Sequence, residues 1–124
     1  MTWKFSSEKP VYLQIMDLFR GAVLSGEYAP GQKVPGVREL AAEARVNPNT
    51  MQHALHALEQ EGLLSAHGTN GRFVTEETAV LEKLRADRIR NLALECAEKF
   101  AALGLSPAQA ARELMGLERN DENG

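Results

Sequence analysis

At 124 residues, with 44% apolar and 25% charged side chains, the chain has room for one domain, or one small domain and an appendage, of ordinary globular composition. The lone Cys96 excludes an internal disulfide or a cysteine metal cluster, and no apolar run of about 18 residues offers a membrane span. The formal charge of −3 is uneven: residues 1–75 hold seven Lys/Arg against seven Asp/Glu, residues 76–124 seven against ten, and neither part is a basic block that advertises nucleic acid.

In chain order, the opening "MTWKFSSEKPVYLQ" lacks the apolar core and cleavage site of a secretory leader, so a cytoplasmic location is expected. Trp3 and Phe5 read as an arm that packs on the domain or on a partner subunit. Pro10 suits a first helical turn, and Tyr12, Ile15, Phe19, Ala22 and Val23 then recur at helical spacing. Gly26 is the left-handed stop, and "APGQKVPG" a turn-rich connection. A short helix, "VRELAAEA", turns through "RVNPNT" into a third, whose stripe is Met51, Ala54, Leu55 and Leu58 and whose end is Gly62. The period then falls from 3.6 to 2. "LLSA" and "RFVT" are strands on either side of "HGTNG", with Asn70-Gly71 as a hairpin tip whose residues both tolerate positive φ. Three helices and a small hairpin make the layout of a winged helix-turn-helix.

From Glu77 to Leu103 a long helix is expected, with Leu81, Leu84, Ile89, Leu92, Cys96, Phe100 and Leu103 on one side and Gly104 as its cap. "SPAQ" restarts a helix with Ser106 and Gln109 as a capping box, and Ala110, Ala111, Leu114, Met115 and Leu117 give it an apolar face. The tail "ERNDENG" has nothing apolar to bury and is expected to fray. Two such helices are too small to sustain a core alone. A second copy of the chain is the favoured cover. The expected fold is therefore mainly α with a small β-hairpin: a winged helix-turn-helix over residues 1–76, then a two-helix dimerisation unit over 77–124 that includes Leu114.

The third helix raises the functional question. In front of its apolar stripe it carries Asn49, Thr50, Gln52, His53 and His56, a face of amides, hydroxyl and imidazoles where Glu and Lys would solvate better. Such groups suit base edges and phosphates, whereas protein-contact centres favour aromatic anchors. Each has a plainer reading. Asn49 and Thr50 serve equally as helix caps. His53 and His56, three apart, could hold a metal, but no carboxylate or cysteine completes a site, and none is expected. Cys96 packs as a small hydrophobe.

These residues, taken together, resemble the DNA-binding domain of GntR-family bacterial transcription regulators. "SGEYAPGQKVP", "VRELA", "VNPNT", "LEQEGLL" and "GRFV" stand in that family's order across residues 10–74, and the short C-terminal segment resembles the YtrA-type subfamily. The resemblance implies a homodimer on a pseudo-palindromic operator of double-stranded DNA, usually as a repressor, and leaves room for a small-molecule effector that no residue identifies. It implies that Arg38 reads guanine, where a forked guanidinium fits O6 and N7. It places Asn47, Asn49 and Thr50 close to phosphates and base edges, and brings Gly71 of the wing, with His67, Thr69 and Asn70, to the minor groove.

The departures are equally specific. His53 replaces a usual Arg or Lys, Gly36 a usual Ser, and Arg45 a usual Gly, while the wing lacks its basic residues. The fixed charges left on the DNA-binding face are Lys33, Arg38, Arg45 and Arg72. Arg38 could instead be a solvated charge paired with Glu39 or Glu43. A winged helix used for protein contact is the alternative function. No nucleophile motif, phosphate-cradling loop or metal cluster suggests an enzyme, and no cofactor is expected.

Overall fold

The computed structural model describes residues 1–123, with side chains through 119. Its elements are α1 (Val11–Leu24), α2 (Val37–Ala44), α3 (Pro48–Gln60), β1 (Leu64–Ala66), β2 (Arg72–Val74), α4 (Thr78–Ala101) and α5 (Pro107–Asn123), with one 3-10 turn at Gly68–Asn70 between the strands. The chain divides into two compact units, Met1–Arg85 and Ala86 onward.

In the first unit α3 packs on both α1 and α2 and leads into β1. Its core is built from Ile15, Met16 and Phe19 of α1, Leu40 and Ala41 of α2, Met51, Leu55 and Leu58 of α3, and Leu64 and Val74 of the strands. Burying each large aliphatic side chain contributes about 1.5–3 kcal/mol. The helical spacing read from the sequence therefore lands on the core, with Met16 added to it.

Arg20 fastens α1 to the end of α3. It pairs with Glu61 and, at 2.7 Å, with Asp17. Burial works against the charge of Arg20, but the hydrogen bond and the charge of Glu61, with Asp17, outweigh it and raise its pKa. The N-terminal arm packs on its own domain, with Trp3 edge-on to Phe19 at 6.3 Å between ring centroids.

β1 and β2 run antiparallel, with Leu64 opposite Val74 and Ala66 opposite Arg72. The expected tip is different in detail. Asn70 does not take positive φ. The left-handed positions are Gly68, which opens the 3-10 turn, and Gly71, which follows it, so the five-residue connection is not a two-residue turn. The connection before α2 also does more than turn. Val34 N donates to Arg72 O at 3.0 Å and Val74 N to Gln32 O at 2.9 Å, so residues 31–34 line the second edge of β2.

α4 begins in the first unit, and there Leu81 and Leu84 lie half-buried against its core. These two positions of the expected dimerisation face therefore also pack within the chain. In the second unit Leu105 N returns to Phe100 O at 3.0 Å and Gly104 takes φ +82°, the left-handed stop expected at α4's end. α5 opens with the expected capping box, Gln109 N donating to Ser106 Oγ at 3.2 Å and Ser106 N to Gln109 Oε1 at 2.8 Å. Its backbone remains helical to Asn123, past the point where fraying was expected, and Gly124 lies outside the described residues.

Ala110 is buried, and Cys96 and Phe100 are half-buried rather than enclosed. Ile89, Leu92, Leu103 and Leu114 stay open, at 55%, 47%, 77% and 49% exposure. Leu94, Met115 and Leu117 are exposed as well. Among the described residues no helix is long and apolar enough to cross a membrane.

Candidate nucleic-acid interface

α2 and α3 meet at a tight corner whose geometry follows from three residues. Gly36 precedes α2 in extended conformation and gives it no side-chain cap. Arg45 ends α2 at φ +58°, ψ +44°, the left-handed region where glycine is comfortable and arginine is not. Asn47 starts α3: its Oδ1 accepts from Asn49 N at 2.7 Å, and Pro48 takes the first helical position, where a missing N–H costs nothing. Asn47, not Asn49 or Thr50, is thus the cap. The two later residues stand in the first helical turn with their side chains uncommitted.

Along α3, Asn49, Gln52, His53 and His56 are exposed and Thr50 is half-buried. His53 has a neighbour that the sequence did not suggest. Its ring stacks on Tyr12 of α1, with centroids 3.9 Å apart and planes 17° from parallel. His56 Nδ1 lies 3.8 Å from Glu59 Oε2. On α2, Arg38 is exposed and makes no ion pair among the described residues, so pairing with Glu39 or Glu43 does not occur. Arg45 is exposed and equally unpaired.

On the wing, His67, Thr69 and Asn70 are exposed and Gly71 is half-buried. His67 is held by Ser65 Oγ at 3.0 Å and edge-on to Phe73. The Lys33 side chain lies along the Gly71 backbone, so closely that a Cβ there would fall 2.9 Å from its Cε. With φ at +104° as well, position 71 admits only glycine without strain.

Arg72, expected among the DNA-contacting charges, is paired within the chain. Instead of standing free, its Nε is hydrogen-bonded to Glu59 Oε1, and both side chains are largely covered. Glu59 was not singled out in the sequence. Its position three residues after His56 was the available signal, but a partner across the hairpin cannot be read from helical spacing.

Among the described residues, no group of three or more His, Cys, Asp and Glu could hold a metal. The exposed groups instead comprise an amide- and imidazole-bearing helix, the unpaired Arg38 near the start of α2, the unpaired Arg45 at the corner, and a glycine-tipped hairpin along which the Lys33 side chain lies. Hydrogen-bond donors, acceptors and a few fixed cations of this kind match phosphates and base edges.

A three-helix core with a helix-turn-helix corner and a two-stranded wing defines the class: a winged helix-turn-helix regulator. The particular family follows from comparison. The model of the "Bacterial regulatory proteins, gntR family" matches residues 11–74, and the chain belongs to that family of DNA-binding transcriptional regulators. It is 33% identical over 103 residues to the HTH-type transcriptional regulator YhcF of Bacillus subtilis, covering 83% of this chain and 85% of that one. It is 39% identical over 70 residues to the transcriptional repressor YtrA of the same organism, covering 56% and 54% of the two. Among solved structures, a GntR family transcriptional regulator from Listeria monocytogenes superposes with TM-score 0.82 at 28% identity, covering 90% of this chain and 98% of that one. AraR(DBD) in complex with operator ORX1 superposes with TM-score 0.53 at 28% identity, covering 60% of this chain and 92% of that one.

Proposed function

We propose that the protein is a transcriptional repressor that binds a pseudo-palindromic operator as a homodimer, with α3 in the major groove and the wing beside it. The domain over 1–76 would supply DNA contact, and the segment from 77 onward would supply dimerisation. The observation that carries this reading is the unpaired Arg38 on α2 together with the exposed Asn49, Gln52 and His53 on α3. A forked guanidinium with no protein partner costs little to dock on guanine and can discriminate one base pair by about 1–3 kcal/mol. Arg45 and Lys33 would neutralise phosphates on either side. Gly71 would let the wing backbone approach closely. The exposed Ile89, Leu92, Leu103 and Leu114 support self-association, since apolar surface of that kind on so small a unit is stabilised by being covered.

Selection from a random-sequence duplex pool, run on the full chain, tests this directly. An inverted repeat whose half-sites are spaced by about one helical turn, 10–10.5 bp, is the expected product. A pool that yields no consensus, or a single unrepeated site, would overturn the operator reading.

A further inference from the structure

Glu59 lies near the C-terminal end of α3, and its two carboxylate oxygens face different side chains. Oε1 accepts from Arg72 Nε on β2, and Oε2 lies 3.8 Å from His56 Nδ1 on α3 itself. Arg72 and Glu59 keep only 18% and 19% of their side-chain surface exposed, respectively, so the pair sits in the seam between helix and hairpin with no net charge. Two other cations of the first unit are likewise engaged. Arg20 is tied to Asp17 and Glu61, and Lys9 lies 3.9 Å from Asp17.

We propose that Glu59 is a specificity-determining residue: it withholds the charge of Arg72 from the DNA backbone, so that the protein's grip on DNA depends on Arg38, Arg45, Lys33 and base contacts rather than on indiscriminate attraction. The proposal rests on reading the molecule as a DNA-binding regulator.

The physics is that of counterion release. Affinity for any duplex, whatever its sequence, rises with the number of phosphates neutralised, and log K falls against log salt with a slope of about −0.9 for each. To neutralise a phosphate, Arg72 would have to break a charge-assisted hydrogen bond and leave the Glu59 carboxylate bare before a polyanion. It would gain one favourable contact and create one repulsive one. A regulator that must find one site among many benefits from weak random binding, because discrimination is set by the ratio of the two affinities. Glu59 therefore acts on the denominator of that ratio.

The experiment is fluorescence anisotropy of the full chain with a random-sequence duplex of about 25 bp, across 50–300 mM NaCl. The variants are Glu59→Gln and the double change Glu59→Gln with Arg72→Gln. Freeing Arg72 in Glu59→Gln should steepen the slope by about 0.9 per subunit and tighten random binding roughly ten-fold per subunit near 0.1 M salt. The double variant exchanges the ion pair for two neutral amides and should keep the slope of the parent. A double variant whose slope is shallower by about 0.9 per subunit would show that Arg72 already neutralises a phosphate, and would overturn the role given to Glu59. So would an unchanged slope in a folded Glu59→Gln. If Glu59→Gln does not fold, the double variant decides alone. A parent with no salt-dependent affinity for any duplex would overturn the DNA reading itself, a distinguishable failure.

Discussion

Removing the cap of α3 separates the stability of the interface from its contacts. In Asn47→Ala the amide of Asn49 loses its 2.7 Å acceptor, while the backbone bond from Met51 N to Asn47 O remains. Because Asn49 is exposed, water replaces the lost partner and the cost stays near the middle of the range for caps, about 1 kcal/mol. The first unit spans Met1–Arg85, and for a domain of that size about 1 kcal/mol corresponds to a fall in Tm of about 4–8 °C. Trp3 is the sole tryptophan and packs on Phe19 in the core, so its emission during heating reports this unit. Asn47→Asp is the control. Aspartate caps as well as asparagine and suits the positive end of a helix, so this variant should melt at or above the parent. It should nevertheless bind DNA more weakly, because it sets a negative charge beside phosphates. An Asn47→Ala chain that melts within a degree of the parent, or an Asn47→Asp chain that melts as low as Asn47→Ala, would refute the assignment of Asn47 as the cap.

Arg38→Ala should cost about 1–3 kcal/mol per half-site on the selected operator and much less on random DNA; equal losses in a filter-binding comparison would make it a phosphate contact. If the chain dimerises as proposed, Leu92→Glu combined with Leu103→Glu should yield a monomer in sedimentation analysis, and an unchanged sedimentation coefficient would place the interface elsewhere. His53→Arg places a permanent positive charge on the exposed face of α3 and should bind duplex DNA more tightly than the parent, whereas equal affinities would make His53 a bystander.

The helices were legible because burial imposes its period on the sequence. Ile15, Phe19, Met51, Leu55 and Leu58 announce both a helix and the face it buries, and Ser106 with Gln109 announces where one starts. What the sequence hid was contact between elements. The tie of Arg72 to Glu59 and the stacking of His53 on Tyr12 join residues whose separation along the chain carries no period. The same holds for Leu81 and Leu84. They continue the stripe of Ile89 and Leu92, so nothing in the pattern tells that the first two are partly covered by the chain's own core. The strand edge made by residues 31–34 escaped because "GQKV" is too short to show alternation.

The conformation of Arg45 bears on how such a protein would change under selection. Its left-handed backbone is a standing load of about 1 kcal/mol that a glycine at the same corner would not carry. A library of variants screened only for resistance to heat would therefore be expected to enrich Arg45→Gly, since the change relieves strain on an exposed residue that makes no ion pair among those described. A library screened for repression in cells should resist the same substitution. Thermal selection and functional selection would pull this single codon in opposite directions, making position 45 a sensitive recorder of which of the two pressures a population has experienced.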